Sequence, residues 1–318
     1  MAQREGPTEK IWRDGEMVDW ADAQIHVLSH VAHYGSAVFE GMRSYATPTG
    51  GAVFRLRDHM RRLHDSAKIY ELPLKWTVDE LCQATIDTLV ANDLVHCYLR
   101  PVVMRTGEEM GIHAPNAPVE TFIICWKWGK SYLRHGAVEG GAKVCVSTWR
   151  RAAPNTFPTM AKASGNYLNA QLAKAEAMRN GFDEAIMLDI NGNVAEGSGQ
   201  NLFIVRDGTL YTSPVTSGIL HGITRDSVLI IAADLGIPVR EMDYPREMLY
   251  LADEAFFCGT AVEINPIVSI DRYQLGDGKP GPIGTAVKNR FFAIATGRTD
   301  DVHGWLAPVP AAAAAGGR

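Results

Sequence analysis

Two turn dipeptides in the second half constrain this chain most. Asn191-Gly192 separates an apolar run at 185–190 from the segment beginning at Val194, and Asp207-Gly208 separates 202–206 from 209–212. Asn-Gly and Asp-Gly accept the left-handed backbone that short hairpin loops require, so both sites predict antiparallel strand pairs. Helical patterns interrupt these hairpins. Residues 166–179 form one, closed by Asn180-Gly181, and 224–235 another, ended by Gly236 and Pro238. Short strands are expected at 143–149, 238–242 and 255–258. In the first half, 57–70 carries Leu63, Ala67 and Tyr70 at helical spacing, and 78–92 turns Leu81, Ile86, Leu89 and Val90 to one face. Residues 97–104 and 120–126 read as strands. Hairpins dominate over β-α-β alternation. The expected fold is therefore α/β of the α+β type, with two lobes of mixed or antiparallel sheet and helices packed on them.

The pattern dissolves over 128–139, which predicts an interdomain connection. A small N-terminal α/β domain is expected at 1–127, and a larger C-terminal domain, containing Lys162, at 140–310. Residues 1–9 and the low-complexity stretch AAAAAGGR at 311–318 read as loose tails. Two lobes imply a cleft, a favoured place for a cofactor.

Hydrophobic residues make up 46% of the 318 and charged residues 21%, enough for a sizeable core. The formal net charge of −5 gives no reason to expect nucleic acid or an anionic membrane as a partner. An anionic ligand would need a local basic pocket. The five cysteines are scattered and never spaced C-x-x-C, which reads against a disulfide framework or a zinc knuckle. Cys125 and Cys145 lie in apolar runs and are expected to be buried. The polar N-terminus and the lack of a membrane-length apolar run predict a cytoplasmic protein. His26, His30 and His33 have no cysteine or carboxylate cluster beside them, so no metal is expected. No Walker loop, Rossmann fingerprint or nucleophile elbow appears.

Four places carry chemistry. Lys162 sits among small residues in Thr159-Met-Ala-Lys-Ala-Ser-Gly-Asn166, where a bulky group could reach its amine and a lowered pKa would suit a Schiff base. Glu196 follows a hairpin and precedes a Gly-Ser-Gly bend; a carboxylate facing a heteroaromatic nitrogen keeps that nitrogen protonated. Gly222-Ile223-Thr224 opens a helix, whose first N–H groups suit a phosphate. Gly259-Thr260-Ala261 offers further donors, and Arg62 a forked charge. Tyr34, Phe39 and Gly41 could shape an apolar pocket. Read alone, each has an ordinary alternative: a surface lysine, a strand-end glutamate, N-capping by Thr224, a solvated arginine, strand packing.

Order and spacing of the motifs decide between these readings. HYGSAVFEGMRSY, HMRRLHDSAKIY, YLRPVV, RRAAPNTFPTMAKASGNYL, EGSGQNLF, GITRD and YLADEAFFCGTAVEINP follow one another along the chain. Together they resemble the branched-chain-amino-acid aminotransferases of the fold-type IV pyridoxal-phosphate enzymes, with the fold of D-amino-acid aminotransferase, from about Ile11 to about Pro308. The resemblance implies that Lys162 forms the Schiff base with pyridoxal 5'-phosphate and shuttles the proton. It implies that Glu196 pairs with the ring nitrogen, Tyr167 meets the phenolic oxygen and Leu220 packs on the ring. Arg62, Ile223, Thr224 and Thr260 would hold the phosphate. Thr260, Ala261 and Tyr98 would receive the substrate α-carboxylate, and Arg100 and Tyr34 the side-chain carboxylate of glutamate. Phe39, Gly41 and Trp128 would shape the side-chain pocket, which Ile112 would reach from a neighbouring subunit. Either Ser131 or Tyr132 takes the family's tyrosine position. The implied reaction is ping-pong transfer from leucine, isoleucine or valine to 2-oxoglutarate. A homodimer is the minimum unit, and a hexamer assembled from dimers is compatible with it. Other fold-type IV activities are the alternatives: D-amino-acid or (R)-amine transamination, or aminodeoxychorismate lysis. The F-E-G-x-R and GTAVEINP strings favour the branched-chain group.

Overall fold

A computed structural model describes residues 8–127 and 140–310. The expected interdomain segment 128–139, with Trp128, Ser131 and Tyr132, lies outside the described residues, as do 1–7 and the tail 311–318.

The chain divides into two compact units. The first contains β1 (Lys10–Arg13), β2 (Glu16–Asp19), α1 (His30–Tyr34), β3 (Ala37–Phe39), β4 (Met42–Thr47) and β5 (Gly50–Phe54). It continues with α2 (Leu56–Ile69), α3 (Val78–Ala91), β6 (Cys97–Arg105) and β7 (Val119–Trp126). α2, α3, β6 and β7 fall where the sequence pattern places them. On α2 the buried residues are Leu56, His59, Met60, Leu63, Ser66 and Ala67, one stripe at helical spacing. The two polar members of that stripe, His59 and Ser66, require partners once buried. α3 opens with a capping box: Thr77 N donates to Glu80 Oε2 at 2.7 Å and Glu80 N to Thr77 Oγ1 at 3.2 Å. Val38, Met42, Met60, Leu63, Leu81, Leu99 and Ile123 form the core of this unit, and Ala163 belongs to it.

The second unit carries β8 (Ala142–Val146), α4 (Tyr167–Arg179), β9 (Glu184–Leu188), β10 (Val194–Gly197), β11 (Asn201–Arg206) and β12 (Thr209–Thr212). After these come α5 (Ile223–Asp234), β13 (Val239–Glu241), α6 (Glu247–Tyr250), β14 (Glu254–Gly259), β15 (Glu263–Ile270), β16 (Tyr273–Gln274) and α7 (Pro282–Ala295). The sheet order is β10-β9-β8-β15-β14-β11-β12-β13, with β16 beside β15. Pairing is antiparallel except at β8–β9, β8–β15 and β12–β13, so the sheet is mixed, as expected.

Both hairpins form, with different loops. Asp207 (φ 49°) and Gly208 (φ 72°) make a two-residue left-handed turn. The loop around Asn191-Gly192 is longer, because Val194 pairs with Leu188 and Asp189 Oδ1 accepts from both Asn191 N and Asn193 N at 2.8 Å. A register shift between Val194 and Glu196 then re-aims Glu196. β8 ends at Val146 rather than 149, since Glu176 draws the next residues out of the ladder: Thr148 N and Oγ1 donate to it at 3.0 and 2.7 Å.

The domain boundaries also need correction. Lys162 does not belong with 140–310: the segment Ala161–Gly165 clusters with the first unit, as do residues 293–310, which include the last three residues of α7. The reason is non-local pairing. Ala163 bridges Val38, Phe39 N donates to Lys162 O at 3.0 Å, and Lys162 N donates to Ser66 Oγ at 3.0 Å. The last strand, β17 (Leu306–Val309), pairs with β5. It completes an eight-stranded sheet of order β17-β5-β4-β6-β7-β1-β2, with β3 on β6.

Candidate active site

In the first unit, β3 and the residues just after it assemble a cluster around Lys162. The Lys162 Nζ lies 5.1 Å from the centroid of the Phe39 ring. The Arg100 guanidinium rests on the same ring at 4.5 Å, and also on Tyr98 (5.4 Å) and Trp126 (5.9 Å). Arg100 Nη2 donates to Tyr98 Oη at 3.3 Å, while its buried Nε has no acceptor. Gly41 makes this possible: a Cβ there would stand 2.0 Å from Tyr98 Oη. The result is an apolar, aromatic wall with one guanidinium in it and a primary amine beside it.

The residue after Phe39, Glu40, is the centre of a second cluster. Glu40 has no exposed surface. It accepts from Arg62 Nε at 2.6 Å, Arg62 Nη2 at 2.8 Å and His59 Nδ1 at 2.7 Å. Burial alone would raise the Glu40 pKa, but the facing Arg62 and His59 outweigh it and hold the carboxyl far below the usual carboxylate range. Burial pushes the His59 pKa down, against the pull of Glu40, and the charges of Arg62 and Lys162 push the same way. A neutral His59 therefore donates its Nδ1–H to Glu40.

Tyr34 is the last residue of α1. Its ring packs on His30 at 4.6 Å and its Oη accepts from Gly111 N at 3.3 Å. Neighbouring Ile112 is 89% exposed, and Val27, Leu28 and Met110 are exposed too. Among the spaced histidines, His30 meets Ser36 Oγ through Nδ1 and Gly111 O through Nε2.

The second unit builds its site on Glu196. This buried carboxylate accepts from Asn201 Nδ2 at 2.9 Å and Leu220 N at 3.2 Å, and pairs with Arg151 Nη2 at 3.0 Å. Arg151 is fixed in turn by donating from Nε to Gly218 O at 3.1 Å. Asn201 also donates to Leu220 O at 3.0 Å, pinning the segment that leads into α5. Gly222 caps α5 without a side-chain bond, so no side chain of its own occupies the N–H groups of Ile223 and Thr224. Its close packing excludes a Cβ, which would lie 2.0 Å from Asn201 Oδ1. Tyr167 is the first residue of α4. Thr260 and Ala261 lie in the loop closed by the Gly259–Glu263 pair. Beneath Gly259 is Gln200, 4% exposed, with neither amide atom hydrogen-bonded.

Arg100, Phe39, Tyr98, Gly41 and Lys162 are thus brought together in one unit, and Glu196 and Leu220 in the other. Sequence reasoning missed Glu40, His59, Arg151, Asn201 and Gln200. The signal for Glu40 was a lone acid inside the apolar run Ala37-Val-Phe-Glu-Gly-Met42.

Residues 37–270 match the family model for amino-transferase class IV, and the chain belongs to that family. It is 50% identical to the branched-chain-amino-acid aminotransferase of Escherichia coli strain K12 over 297 residues, covering 93% of this chain and 96% of the relative. A crystal structure of an E. coli branched-chain amino acid aminotransferase matches with a TM-score of 0.93 at 49% identity, over 95% of this chain and 100% of that one. The branched-chain amino acid aminotransferase from Thermobaculum terrenum, crystallised in its PLP-bound holo form, matches at 0.89 and 38%, over 96% and 99%.

Proposed function

We infer that this chain is a pyridoxal-phosphate-dependent branched-chain-amino-acid transaminase. It converts L-leucine, L-isoleucine or L-valine and 2-oxoglutarate into the branched 2-oxo acid and L-glutamate. One observation carries the reading: Phe39, in an aromatic wall with Tyr98 and Trp126, has both the Arg100 guanidinium and the Lys162 amine against its ring. An apolar surface accepts a branched side chain, and a guanidinium set within it accepts the distal carboxylate of glutamate. The same pocket can then serve both half-reactions.

The donor set suits the cofactor. Arg62 and the N–H groups of Ile223 and Thr224 would hold its phosphate with Thr260. The buried Glu196 carboxylate would face the ring nitrogen, Leu220 the ring face, and Tyr167 the phenolic oxygen. When bound, the cofactor supplies an electron sink conjugated to the substrate's Cα–N bond. Lys162 Nζ would anchor the cofactor, then take the proton from the substrate Cα and return it on the other side of the transfer. Arg151, Asn201 and Leu220 N fix the orientation of the Glu196 carboxyl group. Tyr98 and the Thr260-Ala261 backbone would receive the α-carboxylate, Gly41 leaving room beside them.

The functional unit in this reading is a homodimer. The exposed apolar residues Val27, Leu28, Met110 and Ile112 support it, since such a group seldom stays in water. Ile112 would close a neighbour's pocket. The free cysteines suit a reducing cytoplasm. Among the described residues, no helix is long and apolar enough to cross a membrane.

A substrate panel followed by the cofactor's own absorbance tests the activity. L-leucine should change the spectrum, with D-alanine and (R)-1-phenylethylamine inert. A response to D-alanine or the amine with none to L-leucine would reassign the enzyme within its family. Sedimentation at micromolar concentration should give the mass of a dimer or of a multiple of it; a monomer mass at full activity would refute the shared pocket.

A further inference from the structure

We propose that Glu40 is a positioning residue that sets the Arg62 guanidinium for the cofactor phosphate. The proposal rests on the assignment of Arg62 to that phosphate.

The geometry begins with the helix stripe of α2. His59 and Arg62 are three residues apart and so share one face. Both reach back to the same carboxylate, His59 through Nδ1 at 2.7 Å and Arg62 through Nε and Nη2 at 2.6 and 2.8 Å. The two arginine bonds form the side-on fork that fixes a guanidinium in its own plane. They use two of its five N–H donors. A flexible side chain is thereby converted into an oriented one before any phosphate arrives. This matters because ordering a long side chain on binding weakens affinity.

The carboxylate itself cannot drift. It follows β3 directly, and Phe39, the residue before it, donates its N–H to Lys162 O at 3.0 Å. Two adjacent residues thus fix both the backbone that carries the amine and the arginine. His59 satisfies a further carboxylate lone pair without adding a second charge, and Gly41 N adds a contact at 3.3 Å. A buried carboxylate paired this way, with Arg62 13% exposed, is poor economy for folding alone, since apolar residues of similar volume usually serve a core as well or better. Its retention beside Lys162 points to orientation as the role.

The test compares Glu40→Gln, Arg62→Ala and the double variant, with Glu40→Asp as a second probe that keeps the charge but withdraws it by one methylene. Dissociation constants for pyridoxal 5'-phosphate and for pyridoxal, which lacks the phosphate, are measured by fluorescence. Thermal protection of the cofactor-free protein by inorganic phosphate is measured in parallel. Glu40→Gln should weaken pyridoxal 5'-phosphate by roughly 10- to 100-fold, the range of a charged hydrogen bond, and leave pyridoxal unchanged. Phosphate protection should shrink in the same variant. The double variant should bind no worse than Arg62→Ala, because both changes break one interaction. Glu40→Asp should show the same selectivity for the phosphate-bearing ligand, which keeps the test open if Glu40→Gln does not fold. Equal losses for pyridoxal and its phosphate, or additive losses in the double variant, would overturn the proposal. Arg62→Ala with undiminished affinity for pyridoxal 5'-phosphate would remove the phosphate assignment beneath it, a separate failure.

Discussion

Replacing Gly41 by alanine puts a methyl group 2.0 Å from Tyr98 Oη, where ordinary contact begins at 3.4 Å. The hydroxyl must therefore retreat by about 1.4 Å. It has little room, because Tyr98 is buried and its ring packs on Trp126 at 5.1 Å. Overpacking of this kind costs about 1–3 kcal/mol of stability. The larger effect falls on function. Tyr98 accepts from Arg100 and is assigned to the substrate α-carboxylate, and a misplacement near 1 Å costs about 100-fold in rate. Gly41→Ala should thus lower kcat/KM for L-leucine by about 100-fold while the dissociation constant for pyridoxal 5'-phosphate stays unchanged. Adding Tyr98→Phe removes the worst overlap but leaves Cζ at 2.9 Å, still inside contact distance, so thermal stability should recover only in part while activity does not. Leucine turnover within twofold of wild type in Gly41→Ala would refute the placement of Tyr98 against the substrate.

Other substitutions separate the remaining roles. Arg100→Met should leave L-leucine turnover within about threefold and lower kcat/KM for 2-oxoglutarate by at least about 30-fold, the scale of a lost partner for a buried charge; equal losses for both substrates would count against a carboxylate role. Glu196→Gln strands Arg151, so thermal unfolding should register a loss of about 3–5 kcal/mol, and stopped-flow absorbance a slowed L-leucine half-reaction. His59 has its folded pKa depressed by burial, so the unfolded chain binds the extra proton below about pH 6.5. Stability should accordingly fall as pH drops from 6.5 toward 5. His59→Gln should flatten that slope relative to wild type, and identical slopes would sink the assignment. Glu40, also depressed, adds its own loss only below its unfolded value of about 4.5.

Elements built on local pattern were legible. α2 and α3 bury the residues their spacing names, and Asp207-Gly208 turns as its dipeptide requires. β3 and β4 were not, because Glu40, Gly41 and Arg43 break the apolar alternation on which a strand reading depends. β17 is a four-residue strand containing Pro308, which fits a sheet edge and gives a weak signal. The domain of Lys162 was misread for a different reason: its segment is bound to the first unit by contacts with Val38, Phe39 and Ser66, far away in sequence. The same limit hid the partners of the candidate residues. Lys162, Glu196, Arg62 and Arg100 stand out by type and motif, whereas Glu40 lies 19 and 22 residues from the side chains it holds. Arg151 and Asn201 matter only through Glu196, a relation no spacing encodes.

The most direct test of the central claim follows Lys162 itself. Purified protein reconstituted with pyridoxal 5'-phosphate is mixed with L-leucine in a single turnover, in wild type and in Lys162→Ala, with absorbance and 2-oxo acid both recorded. Wild type should absorb in the visible range, lose that absorbance on mixing and release one 2-oxo acid per site. Lys162→Ala should bind the cofactor without that shift and release the acid at least about 1,000-fold more slowly, the loss of a positioned proton carrier. Release at the wild-type rate from Lys162→Ala would contradict the account.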